Sequence, residues 1–129
     1  KFKSTHLDNS LISEGCIINA KAIKKSVIGN RSRIGEGTVI ENSYIMGNDF
    51  YQSLTDMKED IENENQLIGI GERCYINHAL VDKNCRIGND VYINGGKHLT
   101  NCSEELYCIK DGIVVIKKGK TLPDNFRIE

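Results

Sequence analysis

The side chains able to do nucleophilic, acid–base or soft-metal chemistry are few: His6, His78 and His98, and Cys16, Cys74, Cys85, Cys102 and Cys108. An odd set of cysteines without a C-x-x-C pair suits neither a zinc site nor a secreted disulfide framework, so reduced thiols are expected. Three imidazoles hold a metal only if they converge, and the spacing of these histidines follows no such arrangement. A general base needs hydrogen-bond reach of the proton it takes. His98, in a polar loop after Asn94, is the only plausible one, and His6 and His78 read as surface residues. The cations offer no basic excess for nucleic acid, since 17 Lys and Arg face 18 Asp and Glu for a net charge of -1. No apolar run is long enough to span a bilayer. The start, Lys1-Phe2-Lys3, has neither Met nor a following apolar stretch. It reads as the beginning of an interior piece of a longer chain rather than as a signal peptide.

What must position these side chains is visible in the periodicity. Steps of six from Cys16 give Ala22, Ile28, Ile34, Ile40 and Met46, and small residues follow four places after the first four: Ala20, Ser26, Ser32 and Thr38. Glycine comes directly after Ile28, Ile34 and Met46. The pattern resumes at Ile70-Gly71 and Ile76, slips by one residue, and continues through Val81, Ile87-Gly88 and Ile93. A helix would rotate such a set around its axis, and an antiparallel sheet would alternate over longer strands. A solenoid fits: each hexapeptide makes one short strand and one corner, and three close a triangular coil. Stacked coils then share one continuous core. Gly and Asn are expected at corners with left-handed backbone, and Cys74 and Cys85 fall at the small inward position as core fillers.

The repeat is interrupted between Met46 and Ile70, a gap of four six-residue periods. Residues 48–66 carry six acids against one Lys, with a capping box at Ser53-Leu54-Thr55-Asp56 and Leu54, Met57 and Ile61 at helical spacing. A short helical excursion that returns in phase is expected, either a solvated surface loop or a contact element for a neighbouring subunit or domain. Past Asn94 the hexapeptides degrade. Tyr107–Lys110 and Ile113–Ile116, around the turn Asp111-Gly112, read as two strands lengthening the last coils. Pro123-Asp124-Asn125 marks one more corner, and Phe126 and Ile128 could close the open end. The expected organisation is regular coils over about 7–47 and 67–94, the excursion over 48–66 and a C-terminal strand extension over 95–129.

The order of several strings resembles one family. Ser26-Val27-Ile28-Gly29-Asn30-Arg31-Ser32-Arg33-Ile34, Ile45-Met46-Gly47-Asn48-Asp49-Phe50-Tyr51, Ile68-Gly69-Ile70-Gly71, Leu80-Val81-Asp82-Lys83-Asn84-Cys85-Arg86-Ile87-Gly88 and Gly112–Lys118 are similar to the C-terminal domain of ADP-glucose pyrophosphorylases (glucose-1-phosphate adenylyltransferases). The resemblance implies an all-β fold, a single-stranded left-handed parallel β-helix with one short helical excursion; the handedness comes from the resemblance alone. It also implies a full-length enzyme that joins ATP and glucose 1-phosphate into ADP-glucose and pyrophosphate for glycogen or starch synthesis. Mg²⁺ and ATP belong to a preceding nucleotidyltransferase domain with a G-G-x-G-T-R-L type phosphate loop. No such loop occurs in this chain, which is expected to be inactive alone and to hold no cofactor. Implied partners are its own N-terminal catalytic domain, a homo-oligomer (a tetramer in the family) and a sugar-phosphate or nucleotide effector, in a cytoplasmic setting without nucleic acid or membrane. By resemblance Lys83 and Lys118 are the effector-binding pair, because two ammonium groups from separate coils can hold a phosphate dianion. Lys117, Arg31 and Arg33 are weaker anion-site candidates. Asn125 stands where the family often has Gly, and 95–106 departs from the family's pattern.

Two other readings compete. A free-standing hexapeptide acyltransferase would use His98 as base on acyl-CoA, and another sugar-1-phosphate nucleotidyltransferase, such as a mannose-1-phosphate guanylyltransferase, could carry a similar tail. The acidic excursion and the Ile68-Gly69-Ile70-Gly71 restart favour the glucose enzyme. A purely structural cap would differ only in that Lys83 and Lys118 would not converge.

Overall fold

In the computed structural model, which describes residues 4–129, short strands follow one another around a triangular prism. The reading of the chain start at Lys1-Phe2-Lys3 lies outside the described residues. The first coils are β1 (His6–Asp8), β2 (Leu11–Ile12) and β3 (Ile17–Ile18), then β4 (Ala22–Lys24), β5 (Val27–Ile28) and β6 (Arg33–Ile34). β7 (Val39–Glu41) and β8 (Tyr44–Ile45) precede helix α1 (Leu54–Glu62), after which β9 (Gly69–Ile70) completes that coil. β10 (Tyr75–Asn77), β11 (Ala79–Val81) and β12 (Arg86–Ile87) form the next. The chain ends with β13 (Tyr92–Asn94), β14 (Cys102–Ser103), β15 (Tyr107–Lys110), β16 (Ile113–Ile116), β17 (Thr121–Leu122) and β18 (Arg127–Ile128).

Three sheets make the faces. The first has order β1-β4-β7-β10-β13-β18, the second β14-β15-β16-β11-β8-β5-β2 and the third β17-β12-β9-β6-β3. Among the described residues, pairing between coils is parallel, and only β14–β15 and β15–β16 are antiparallel. Register stacks like on like, so Ile23, Ile40, Ile76, Ile93 and Ile128 form one inward column and Ile18, Ile34, Ile70, Ile87 and Leu122 another. Ile18, Ile23, Ile28, Ile34, Ile40, Ile76 and Ile93 are fully sealed from water, each burial contributing about 2–3 kcal/mol.

The uniform step of six needs one correction. Ile18, Ile23 and Ile45 take the inward positions that a strict period assigns to Cys16, Ala22 and Met46, because the step from the first sheet to the second is five residues, as is that from Ile18 to Ile23. Lys25, Asn42 and His78 make the tight corner between the first and second sheets with φ of 49°, 49° and 50°. Ser26, Ser43 and Ala79 follow, and the hydroxyls form a ladder: Ser43 N–H donates to Ser26 Oγ at 3.1 Å and Ala79 N–H to Ser43 Oγ at 3.2 Å. Ser32 and Thr38 instead donate to Gly29 O and Gly71 O, both at 2.8 Å, and no buried side-chain polar atom among the described residues lacks a partner.

Of the glycines after the aliphatics, Gly47 takes the expected left-handed backbone with φ of 87°, but Gly29 and Gly71 have a different reason. Gly29 and Gly71 do not adopt positive φ. A Cβ on Gly29 would sit 2.2 Å from Met46 O, and one on Gly71 2.4 Å from Gly88 O, so close approach of the next coil excludes any side chain. Among the described residues the left-handed positions go most often to Gly and then Asn, as expected, Asn125 among them at φ 65°, with Asp, Lys, Arg and His at others.

Cys74 and Cys85 are buried fillers, and burial pushes the Cys85 thiol up to about 11. The tail adds a full turn: β16, β17 and β18 carry Ile116, Leu122 and Ile128 at steps of six and continue the core, with β14 and β15 folded back beside them. Tyr107 from this hairpin meets Phe126 edge-on, with ring centroids 5.9 Å apart.

Candidate anion site at one edge of the prism

Where the second sheet turns into the third, successive coils stack their corner residues into a column. Asn48 N–H donates to Asn30 O at 2.9 Å, Asn84 N–H to Gly47 O at 3.2 Å and Gly119 N–H to Lys83 O at 2.9 Å. The tiers are therefore Asn30-Arg31, Gly47–Asp49, Lys83-Asn84 and Lys118-Gly119. Asn84 and Gly119 turn the chain with φ of 62° and 71°. Lys83 and Lys118 thus come from neighbouring coils, although 35 positions separate them in sequence.

Both act on one carboxylate. Lys83 Nζ lies 3.1 Å from Asp49 Oδ1, and Asn84 Nδ2 donates to Asp49 Oδ2 at 3.0 Å. Asp49 N–H in turn donates to Asn84 Oδ1 at 2.9 Å. The hydrogen bond from Asn84 holds the Asp49 carboxyl below its ordinary value, helped by Lys83 and by the positive field of Lys118. The Lys83 and Asp49 side chains remain 43% and 47% exposed, so water and small solutes reach the pair. The next carboxylate, Asp82, is engaged locally and accepts from Lys83 N–H at 2.7 Å.

The other cations stand apart. Lys117 Nζ hydrogen-bonds Glu104 O and so ties the corner to the β14–β15 hairpin. Arg31 shares the edge two tiers below Lys83, where its Nε donates to Asn48 O at 3.0 Å and Asn48 Nδ2 returns a bond to Arg31 O at 2.9 Å. Arg33 lies round on the third sheet and donates to Ile68 O at 3.0 Å. Its partial burial pushes the guanidinium down from its usual value. Sequence reasoning named the two lysines but missed Asp49 as their partner. Aligning the corner positions coil by coil would have found it.

The protein-family model described as "GLGC left-handed parallel beta-helix domain" matches residues 1–126. The chain belongs to that family. The left-handed β-helix expected from the resemblance is the fold of this family. A chloroplastic/amyloplastic glucose-1-phosphate adenylyltransferase small subunit of Triticum aestivum is 39% identical over 125 residues, 95% of this chain. An "inactive glucose-1-phosphate adenylyltransferase small subunit 2, chloroplastic" of Arabidopsis thaliana is 35% identical over 127 residues, 92% of this chain. The chain spans 26% of the length of each.

Against that family background, the histidines occupy separate parts of the β-helix. His6 is on the first strand, His78 at a tight corner, and His98 in the loop after β13 with its Nε2 2.8 Å from Glu129 O. Among the described residues no three His, Cys, Asp or Glu gather as a metal site, and no helix is long and apolar enough to cross a membrane.

Proposed function

We propose that this β-helix is the regulatory and assembly domain of a glucose-1-phosphate adenylyltransferase, and that Lys83 and Lys118 form its anionic-effector site. The observation that carries the second half is the meeting of the two lysines at one accessible edge from adjacent coils. In this reading the native polypeptide is several times longer, and ATP, Mg²⁺ and the chemistry of ADP-glucose formation belong to a nucleotidyltransferase domain outside this chain. The absence of a glycine-rich phosphate loop among these 129 residues supports that division and an inactive isolated chain. The setting is cytoplasmic. The partners are that catalytic domain and further copies in a tetramer, and exposed Leu54 and Ile61 on α1 suit a contact element. The effector is a sugar phosphate or nucleotide.

Two measurements test the reading. An antibody raised against this chain should detect a native band several-fold above 14.5 kDa, and a band at 14.5 kDa would reject the longer enzyme. Calorimetric titration with inorganic phosphate should show binding that Lys83→Ala and Lys118→Ala each abolish. Equal binding in all three proteins would place the effector elsewhere.

A further inference from the structure

The edge that presents Lys83 and Lys118 already holds an anion of its own. Asp49 uses both carboxylate oxygens there, one toward Lys83 Nζ and the other toward Asn84 Nδ2, while its backbone N–H fixes Asn84 from the other side. We propose that Asp49 is a built-in competing anion that an incoming ligand must displace, so that the edge selects phosphate dianions over single carboxylates. This rests on the effector-site reading above and adds to it the residue that sets affinity and ligand class.

The physical argument is one of local concentration and charge. Asp49 is covalently present beside Lys83, so a free monoanion with the same charge gains nothing by replacing it and loses translational freedom in the attempt. A phosphate dianion differs in two respects. It carries twice the charge, and its oxygens can engage both ammonium groups at once. Asp49, by contrast, hydrogen-bonds Lys83 and reaches Lys118 only through its field. The remaining charged neighbours do not fill the gap, because Asp82 is bound to the Lys83 backbone and Lys117 to Glu104 O. Displacement is sterically open, since Asp49 is about half exposed and lies at the start of the excursion rather than inside a strand.

The test is calorimetric titration of the 129-residue chain at low ionic strength with inorganic phosphate and, separately, acetate. Asp49→Asn keeps the shape and removes the charge, and should bind phosphate about tenfold more tightly than the parent. Asp49→Ser, which also removes the amide, should behave alike, and matching thermal midpoints establish that both variants are folded. Acetate should bind Asp49→Asn measurably better than it binds the parent. In the parent, the Asn84 side-chain amide resonances should shift on adding phosphate as the Asp49 contact is lost. If both variants bind phosphate no more tightly than the parent while Lys83→Ala abolishes binding, the anion site stands and the competing role of Asp49 is overturned. If no protein binds phosphate, the effector site and this inference fall together.

Discussion

The coils and the excursion that interrupts them are the same chain held by different forces. Eight isoleucines among the described residues of the prism have no exposure to water, whereas α1 buries none of its nine residues. The excursion is instead fastened by polar clamps to the third sheet and the first coil. Arg86 Nη1 donates to Asp60 Oδ2 and to Gln66 O, both at 2.7 Å. Gln52 bridges Asp60 and the Ile68 N–H, and Tyr51 OH donates to Gly15 O at 3.1 Å. Stacked aliphatics give the prism a cooperative core, while the excursion can detach at its clamps without exposing that core.

The sharpest way to break this contrast is to cut the core. Ile76 lies in the middle of the first sheet between Ile40 and Ile93 and is fully sealed. Ile76→Ala should cost about 2–5 kcal/mol of global stability. Denaturant unfolding should show a lower midpoint with unchanged slope. A loss below about 1 kcal/mol would mean that the stack relaxes into the cavity and that its coils are not tightly packed.

Next in size is release of the excursion. Arg86→Ala removes the clamp on Asp60 and Gln66, so amide exchange across 52–66 should accelerate about tenfold or more while the strand amides keep their protection. Uniform acceleration would show that the excursion and prism open as one unit. The clamp also responds to acid. Asp60, only 16% exposed, has its carboxyl held below the ordinary value, first by the hydrogen bond from Arg86 and then by that from Gln52. A depressed carboxyl stabilises the folded state above its unfolded value of 3.8 and loses that contribution as pH falls through the lower folded value. Protection in 52–66, corrected for the intrinsic exchange rate at each pH, should therefore fall in that acid window and hold between pH 5 and 8. In Arg86→Ala this acid step should be largely gone.

These differences explain what could be read from the residues alone. The columns through Ile34, Ile76 and Ile87 were legible because each coil repeats the same inward demand. Of the five-residue corners, the one between Ile76 and Val81 showed as a slip of one residue, but those before Ile28 and Ile45 did not, because Ala22 and Met46 are apolar enough to pass for inward residues in a strict period. The last turn was obscured because residues 95–112 depart at a corner, and because Leu122 and Ile128 restart the period without the glycine that marks the earlier coils. At the candidate site, family resemblance supplied Lys83 and Lys118. Asp49 escaped notice since its role depends on which corners are stacked, a relation set by the length of two insertions.

The smallest effect concerns how α1 is started. Ser53 caps the helix, accepting from Asp56 N–H at 3.0 Å, and the Asp56 carboxylate accepts from Ser53 N–H at 3.4 Å in return. A helix of nine residues is too short to persist on propensity alone, so this cap and the clamps decide whether it forms. Ser53→Ala should destabilise it by about 1 kcal/mol. That loss belongs to α1 alone. Cα chemical shifts across 54–62 should move toward coil, while the global denaturant midpoint stays where it was. Leu54→Ala, at a position 86% exposed, should change neither reading in the isolated chain. If Ser53→Ala instead lowered the global midpoint by the same amount, the helix would belong to the cooperative core, and the division between a packed prism and a clamped excursion would have to be abandoned.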